Sequence, residues 1–220
     1  MARAGQDSVR RPTKNRKRTA SSQRWLERQL NDPYVKRARD EGWRSRAAFK
    51  LIELDDRFAL IKGVQRVVDL GIAPGGWSQV VRKRAPKAAI VGIDLLEVEP
   101  IEGVTILQMD FMDDGAPAAL EAELDGPPDL VLSDMAANTV GHKQTDHLRT
   151  LALAEAAAWF AVEVLSEGGS FVAKGFAGGS DNDLLVLLKK HFRSVKHAKP
   201  PASRKGSSEW FVVAQGFKGR

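Results

Sequence analysis

Four ionisable residues stand where apolar runs meet polar turns. Asp134 closes Leu130-Val131-Leu132-Ser133, and Lys174 closes Ser170-Phe171-Val172-Ala173. Glu209 opens Glu209-Trp210-Phe211-Val212-Val213, and Lys50 lies on a helix that precedes the first strand signal. Brought to one edge of a sheet, two lysines and two carboxylates form a paired-charge site suited to proton transfer. A lysine held at the edge of a core beside another cation can lose its proton near neutral pH. Lys174 follows its apolar run directly, and Lys50 can be the second cation. Asp134 and Glu209 would then orient the lysines and balance their charge. A single Lys or Asp at a strand end is most often a solvated terminus, so the group of four carries the signal.

A second constellation is the run Val67-Val68-Asp69-Leu70-Gly71-Ile72-Ala73-Pro74-Gly75-Gly76-Trp77, followed by Ile90-Val91-Gly92-Ile93-Asp94. A buried strand enters a turn whose glycines let a ligand approach the backbone, Gly71 first among them. A helix follows, then a second strand ending in a carboxylate. In open α/β sheets this arrangement cradles a nucleoside, with turn amides on the ligand and the carboxylate on the ribose hydroxyls. The turn is not a GxGxxG and no GK[ST] occurs, which argues against a dinucleotide or a P-loop triphosphate. Asp69 and Asp110 also sit at strand ends and suit hydrogen bonds to a nucleoside better than proton transfer. Trp77 can pack beside the ligand or belong to the core.

These residues need a scaffold that gathers strand ends. Strand signals fall at 66–70, 89–93, 104–108, 129–133, 169–174, 194–199 and 209–215, with helical stretches at 76–85, 114–123, 146–166 and 181–192 between them. Alternating strands and helices predict an α/β fold: a doubly wound, mostly parallel sheet. The loop 200–208 is too short for a parallel crossover, so the last two strands should pair antiparallel. Upstream, Asp32-Pro33 reads as an N-cap and first helical residue, Gly42 as a stop, and Ser45 as the cap of a helix over 46–60. That helix should turn Ala48, Leu51, Ile52 and Leu54 to the core. Leu151, Ala154, Ala158, Ala161, Val162 and Leu165 mark the inner face of 146–166.

Composition limits the chemistry. The chain has 220 residues and no cysteine, which excludes disulfides, thiolate metal sites and thiol catalysis. Its four histidines are scattered, so no metal site is expected. No apolar run reaches the ~20 residues of a membrane span, and the N-terminus shows no apolar signal segment, so a cytoplasmic location is expected. Residues 1–24 carry eight Lys/Arg against one acid, Asp7, which accounts for essentially all of the formal +6. Such an arm cannot build a core; it should be disordered alone and serve as a handle for nucleic-acid phosphates. A solubilising tail is the plainer alternative. A single domain is expected over 25–220. Arg37, Arg39, Arg44, Arg46 and Lys50 form a second basic set, read as backbone contacts to RNA.

From Ser21 to about Gln215 the chain resembles the FtsJ/RrmJ-type ribose 2′-O-methyltransferases, which use S-adenosylmethionine. The carrying motifs are Ser45-Arg46-Ala47-Ala48-Phe49-Lys50-Leu51, Asp69 to Gln79, Ser133-Asp134-Met135-Ala136-Ala137-Asn138 and Gly168 to Lys174. The resemblance implies a seven-stranded sheet with an antiparallel last strand. It implies a catalytic tetrad of Lys50, Asp134, Lys174 and Glu209, and a cofactor pocket using Gly75, Trp77, Asp94, Asp110 and Asp134. Likeness is greatest to members that methylate a uridine ribose in the A-loop of 23S rRNA, acting as monomers on the large ribosomal subunit without a metal. The chain differs in having Ala137 where proline is usual, fewer arginines around Ser207-Ser208, and a longer basic arm. The same chemistry on tRNA or an mRNA cap is a rival expectation, as is a non-catalytic ribosome assembly factor that binds RNA.

Overall fold

Seven strands form one sheet in the order β3-β2-β1-β4-β5-β7-β6. The computed structural model describes Glu27 and residues 30–137, 141–176, 182–204 and 206–220. The basic arm 1–24, Trp25, Leu26 and Asn138 lie outside the described residues. The elements are α1 (Pro33–Asp40), α2 (Ala47–Phe58), β1 (Arg66–Leu70), α3 (Gly76–Arg84), β2 (Ala89–Asp94), β3 (Val104–Gln108), α4 (Ala116–Ala122), β4 (Leu130–Ser133), α5 (Lys143–Val164), β5 (Ser170–Phe176), α6 (Asn182–His191), β6 (Phe192–Ala198) and β7 (Glu209–Phe217). Strands β1 to β5 pair in parallel, and β7 runs antiparallel to both β5 and β6. The fold is the α/β, doubly wound, mostly parallel sheet with an antiparallel last strand that the pattern predicts.

Successive strand side chains point to opposite faces, so each strand feeds two cores. One face presents Val68, Leu70, Val91, Ile93, Val131, Phe171 and Val212 to α4, α5 and α6. The other presents Val67, Ile90, Leu132, Val172, Phe211 and Val213 to α2 and α3. Helix α2 seats itself through Ala48, Leu51 and Leu54, all buried, while Ile52 is half-buried at the margin. Cutting the fully buried Leu51 back to alanine would cost about 2–5 kcal/mol through lost transfer energy and an unfilled cavity. On α5 the buried stripe is Ala154, Ala158, Ala161 and Val162, with Leu151 half-buried.

The capping expectation at α1 holds: the Asp32 carboxylate accepts from the Tyr34 amide at 3.0 Å and Pro33 opens the helix. The one at Ser45 does not. The N-cap position of α2 is Arg46, in helical conformation, and makes no side-chain cap. The Ser45 hydroxyl is buried without a hydrogen-bond partner among the described residues. Its backbone carbonyl instead accepts from the Ala48 amide at 3.2 Å, a tight first turn that replaces the cap. Helix α5 begins at Lys143 and ends at Val164, because Leu165 is already extended (ψ 141°) as the chain turns back to the sheet. Strand β5 runs to Phe176 because its end pairs with the start of β7, Phe176 opposite Glu209.

Candidate active site

Strand parity aims the ionisable residues. Leu132, Val172, Phe211 and Val213 face the α2 side of the sheet. Asp134, Lys174 and Glu209 each lie two residues from one of these along the chain, so they project toward the same side at the sheet edge. Helix α2 covers that side, and Lys50 falls one turn before Leu54 on its buried stripe. The parallel strands end at this edge and β7 starts there, since Glu209 lies opposite Phe176.

The four residues form a connected chain. The Lys50 ammonium donates to Glu209 Oε2 at 2.8 Å and lies 3.9 Å from Asp134 Oδ1. The Lys174 ammonium donates to Asp134 Oδ1 at 2.9 Å and also to the Asp134 backbone carbonyl. Lys50 also sits 5.6 Å from the centroid of Phe211. Both lysines are only 8% exposed. Burial pushes the Asp134 carboxyl up, but Lys174 and Lys50 outweigh it and hold the group below its ordinary value.

Asp134 also borders a cavity of about 550 Å³, walled by Gly71, Asp94, Leu95, Leu96 and Asp110 among others. The cavity lies beyond β1 and β4, where neighbouring strands connect in opposite directions across the sheet. That is the place where open α/β sheets bind ligands. Its volume is that of a small-molecule site. Gly71 is in the left-handed region (φ +78°), and a Cβ there would come within 2.7 Å of the Met135 side chain, so the β1 turn can approach the β4 loop only as glycine. Asp94 accepts from the Ala73 amide at 2.9 Å through one oxygen and from the Leu96 amide at 3.0 Å through the other. Each oxygen keeps a lone pair for a ligand hydroxyl. Asp110 folds onto the Met112 amide at 2.9 Å. Acidic acceptors beside an apolar wall fit a nucleoside.

Three further residues expected at the cofactor, Trp77, Gly75 and Asp69, are not among those lining the cavity. Trp77 is buried in the core, tilted against Phe211 at 5.7 Å, with its indole N–H on the Ala47 carbonyl at 2.9 Å. Gly75 (φ +107°) caps α3, where a Cβ would meet Ile101 at 2.4 Å. Asp69 is fully buried beneath the turn, and Ser78 Oγ donates to its Oδ2 at 2.6 Å. Burial raises the Asp69 carboxyl to about 7, Asp134 and Asp94 add to the rise, and the Ser78 bond opposes it.

The second basic set is largely engaged within the chain. Arg44 donates to the carbonyls of Pro74, Glu99 and Pro100. Arg46 pairs with Asp32 at 3.0 Å and donates to the Ala202 carbonyl. Arg37 pairs with Glu41 at 2.5 Å, and Lys50 with Glu209. Charge counting could not see this, because it does not reveal partners distant in sequence. Sequence reasoning also missed Ser203, which is 5% exposed and donates to Glu209 Oε1 at 2.8 Å. Its only sequence signal is a hydroxyl six positions before Glu209 in a short loop. Among the described residues no cluster of His, Asp or Glu could hold a metal ion, and no helix is long and apolar enough to cross a membrane.

The family model and the relatives found by sequence agree on one family. A family model described as FtsJ-like methyltransferase matches residues 43–217. The chain is 77% identical over the full length of both proteins to the ribosomal RNA large subunit methyltransferase E of Erythrobacter litoralis. It is 73% identical to the protein of that name from Novosphingobium aromaticivorans, covering 100% of this chain and 99% of the relative. Among solved structures, a Plasmodium falciparum protein described as a ribosomal RNA methyltransferase aligns with a TM-score of 0.73 at 33% identity, over 81% of this chain and 100% of that one. A Streptococcus mutans methyltransferase solved with S-adenosylhomocysteine shares the fold alone, at a TM-score of 0.51 and 16% identity over 76% of this chain and 97% of that one. Matched over both the strand-end cluster and the cavity beside it, the chain belongs to the FtsJ-like methyltransferase family.

Proposed function

We propose that the protein is an S-adenosylmethionine-dependent RNA 2′-O-methyltransferase that modifies a uridine ribose of 23S rRNA, in the A-loop, with the large ribosomal subunit as its partner in the cytoplasm. The observation that carries this reading is Asp134, which borders the nucleoside-sized cavity on one side and joins Lys174 and Lys50 on the other. The names of the relatives at 77% and 73% identity support large-subunit rRNA as the substrate.

S-adenosylmethionine, when bound, supplies a methyl group on a sulfonium, whose C–S bond breaks to release the neutral thioether S-adenosylhomocysteine. Asp94 and Asp110 would hold the ribose end of the cofactor, and the Gly71 turn would let it approach the backbone. Leu95 and Leu96 would give it an apolar wall on one side of the cavity. The ribose 2′-hydroxyl is a poor nucleophile at pH 7, so its position and its proton are the problem. Lys174 receives or steers that proton as the oxygen takes the methyl group. Two bonds to Asp134, at the side-chain oxygen and at the backbone carbonyl, fix the Lys174 nitrogen at the strand end. Lys50 and Asp134 tune Lys174, and Glu209 holds Lys50. Positioning can lower the barrier by about 7 kcal/mol or more, and a placed base adds roughly a hundredfold.

Mapping ribose methylation in rRNA from cells with and without the protein tests the reading. Loss of one A-loop uridine methylation is the expected result. Purified protein should also methylate large subunits in preference to free tRNA or capped RNA. Preference for tRNA or caps would redirect the substrate, and cofactor binding without transfer to any RNA would point to an assembly factor.

A further inference from the structure

The Glu209 carboxylate is held at both oxygens. Oε2 accepts from Lys50 at 2.8 Å and Oε1 from Ser203 Oγ at 2.8 Å. Bonded only to Lys50, a carboxylate at the end of a three-torsion side chain could turn about that one bond. Two bonds on opposite oxygens fix its plane. Ser203 itself cannot drift, because its loop is tied to the first two helices. The Ala202 amide donates to Glu53 Oε2 at 2.6 Å, and the Ala202 carbonyl accepts from Arg46. Asp32 pairs with Arg46 at 3.0 Å and with Arg204 at 3.4 Å. The Ser203 amide closes a turn on the Pro200 carbonyl at 2.8 Å. The Glu209 amide donates to Ser207 Oγ at 3.0 Å, so the backbone beneath the carboxylate is fixed as well.

We propose that Ser203 is a positioning residue for methyl transfer: its hydroxyl sets the Glu209 carboxylate so that Oε2 faces Lys50, and through Lys50 it sets the charge beside Asp134 and Lys174. The inference rests on the function proposed above and extends it by one residue. Among the described residues the Ser203 side chain hydrogen-bonds to Glu209 and to neither lysine, so its effect runs through Glu209. The arginines and acids around it only determine where the hydroxyl lies.

The test is a set of full-length variants, Ser203→Ala, Ser203→Thr, Glu209→Ala and the Ser203→Ala/Glu209→Ala pair, assayed by single turnover on large ribosomal subunits. Ser203→Ala should slow transfer about tenfold while leaving the cofactor Kd and the RNA KM within about twofold, the pattern of an interaction made only in the transition state. Ser203→Thr keeps the hydroxyl and should restore the rate. The pair should be no slower than Glu209→Ala, because Ser203 has nothing to position once the carboxylate is gone. Wild-type transfer by Ser203→Ala beside an impaired Glu209→Ala overturns the inference, and so does a pair slower than Glu209→Ala by the full Ser203→Ala factor. If Glu209→Ala is itself unimpaired, the proposed use of Glu209 in catalysis fails instead. A crystal structure of Ser203→Ala then decides the matter: a Glu209 carboxylate swung out of reach of Lys50 supports the role of Ser203, and an unmoved one overturns it.

Discussion

Lys174 meets Asp134 twice, at the side-chain oxygen 2.9 Å away and at the backbone carbonyl of the same residue. The lysine therefore fixes both the carboxylate and the path of the chain as it leaves β4. The same carboxylate borders the cavity. A change at Lys174 should thus be felt in transfer and, through Asp134, in stability.

Lys174→Ala should lower single-turnover methyl transfer by at least ~100-fold, the usual contribution of a placed base. Lys174→Arg should not rescue it, because a guanidinium keeps the charge but does not give up its proton. The stability effect has a sign that can be checked. Asp134 is held below its ordinary value in the folded protein, chiefly by Lys174 working against burial. That stabilisation is present above the unfolded carboxyl value near 4 and is lost as pH falls through the folded value. The melting-temperature gap between wild type and Lys174→Ala should be wide at pH 7 and close on acidification. Near-normal transfer by Lys174→Ala would sink the mechanism while leaving the cofactor cavity assignment standing.

Asp94 joins the β1 turn to the end of β2 through the Ala73 amide, besides facing the cavity. Asp94→Ala should raise the dissociation constant for S-adenosylmethionine by about one to two powers of ten, a loss of ~1.5–3 kcal/mol. Because the carboxylate also holds the turn, part of that loss is misplacement of the backbone. Asp94→Asn keeps an acceptor for the turn and should recover the melting temperature more fully than the affinity. Wild-type affinity for Asp94→Ala in a calorimetric titration would remove Asp94 from the cofactor site.

The convergence of Asp134, Lys174 and Glu209 was legible because strand alternation is strict: each extends an apolar row that the sequence displays. Lys50 was legible only as a lysine on the helix before β1; its place one turn before Leu54 on the buried stripe aims it at this edge. What was hidden depends on contacts between distant segments. Arg44 and Arg46 read as RNA contacts, and their bonds to Pro100 and Ala202, far along the chain, could not be seen in the sequence. Trp77 read as a ligand wall or as core, and its packing on Phe211, far along the chain, could not be seen in the sequence. Ser203 is one hydroxyl in a polar loop, and nothing local marks it as facing Glu209. Ser45 looked like a cap because caps are local signals, but α2 tightens its first turn instead.

The basic arm is proposed to supply RNA affinity rather than chemistry. Deleting residues 1–20 removes seven of its eight cations, all but Arg24. Each RNA phosphate that the shortened arm no longer neutralises should flatten the dependence of log K on log salt by roughly 0.7–0.9. The cofactor Kd should not change. An unchanged salt slope would show that the arm is not a phosphate handle. On this proposal the arm would bear more of the electrostatic role than a count of charges suggests, because Arg44, Arg46 and Lys50 have partners within the chain.

Asp69 predicts a pH dependence that opposes that of Asp134. It is fully buried on the α2 side of β1, bonded through Oδ2 to Ser78, with Oδ1 lacking a hydrogen-bond partner among the described residues. Burial, with Asp134 and Asp94 nearby, raises its carboxyl to about 7. Between the unfolded value near 4 and about 7, the folded protein keeps a proton that the unfolded chain has released. Stability from this group therefore falls as pH rises through that window, and the full cost is present above it. Asp69→Asn keeps an acceptor for Ser78 and has no charge to bury. Relative to wild type it should be more stable at pH 8, by an amount on the order of a few kcal/mol, with the advantage shrinking toward pH 5. Denaturant unfolding of both proteins across pH 5–8 measures this directly. Parallel stability curves would show that the Asp69 carboxyl does not titrate in this range. A variant that is less stable at pH 8 than at pH 5, relative to wild type, would reverse the sign and assign Asp69 to a charged, stabilising contact instead.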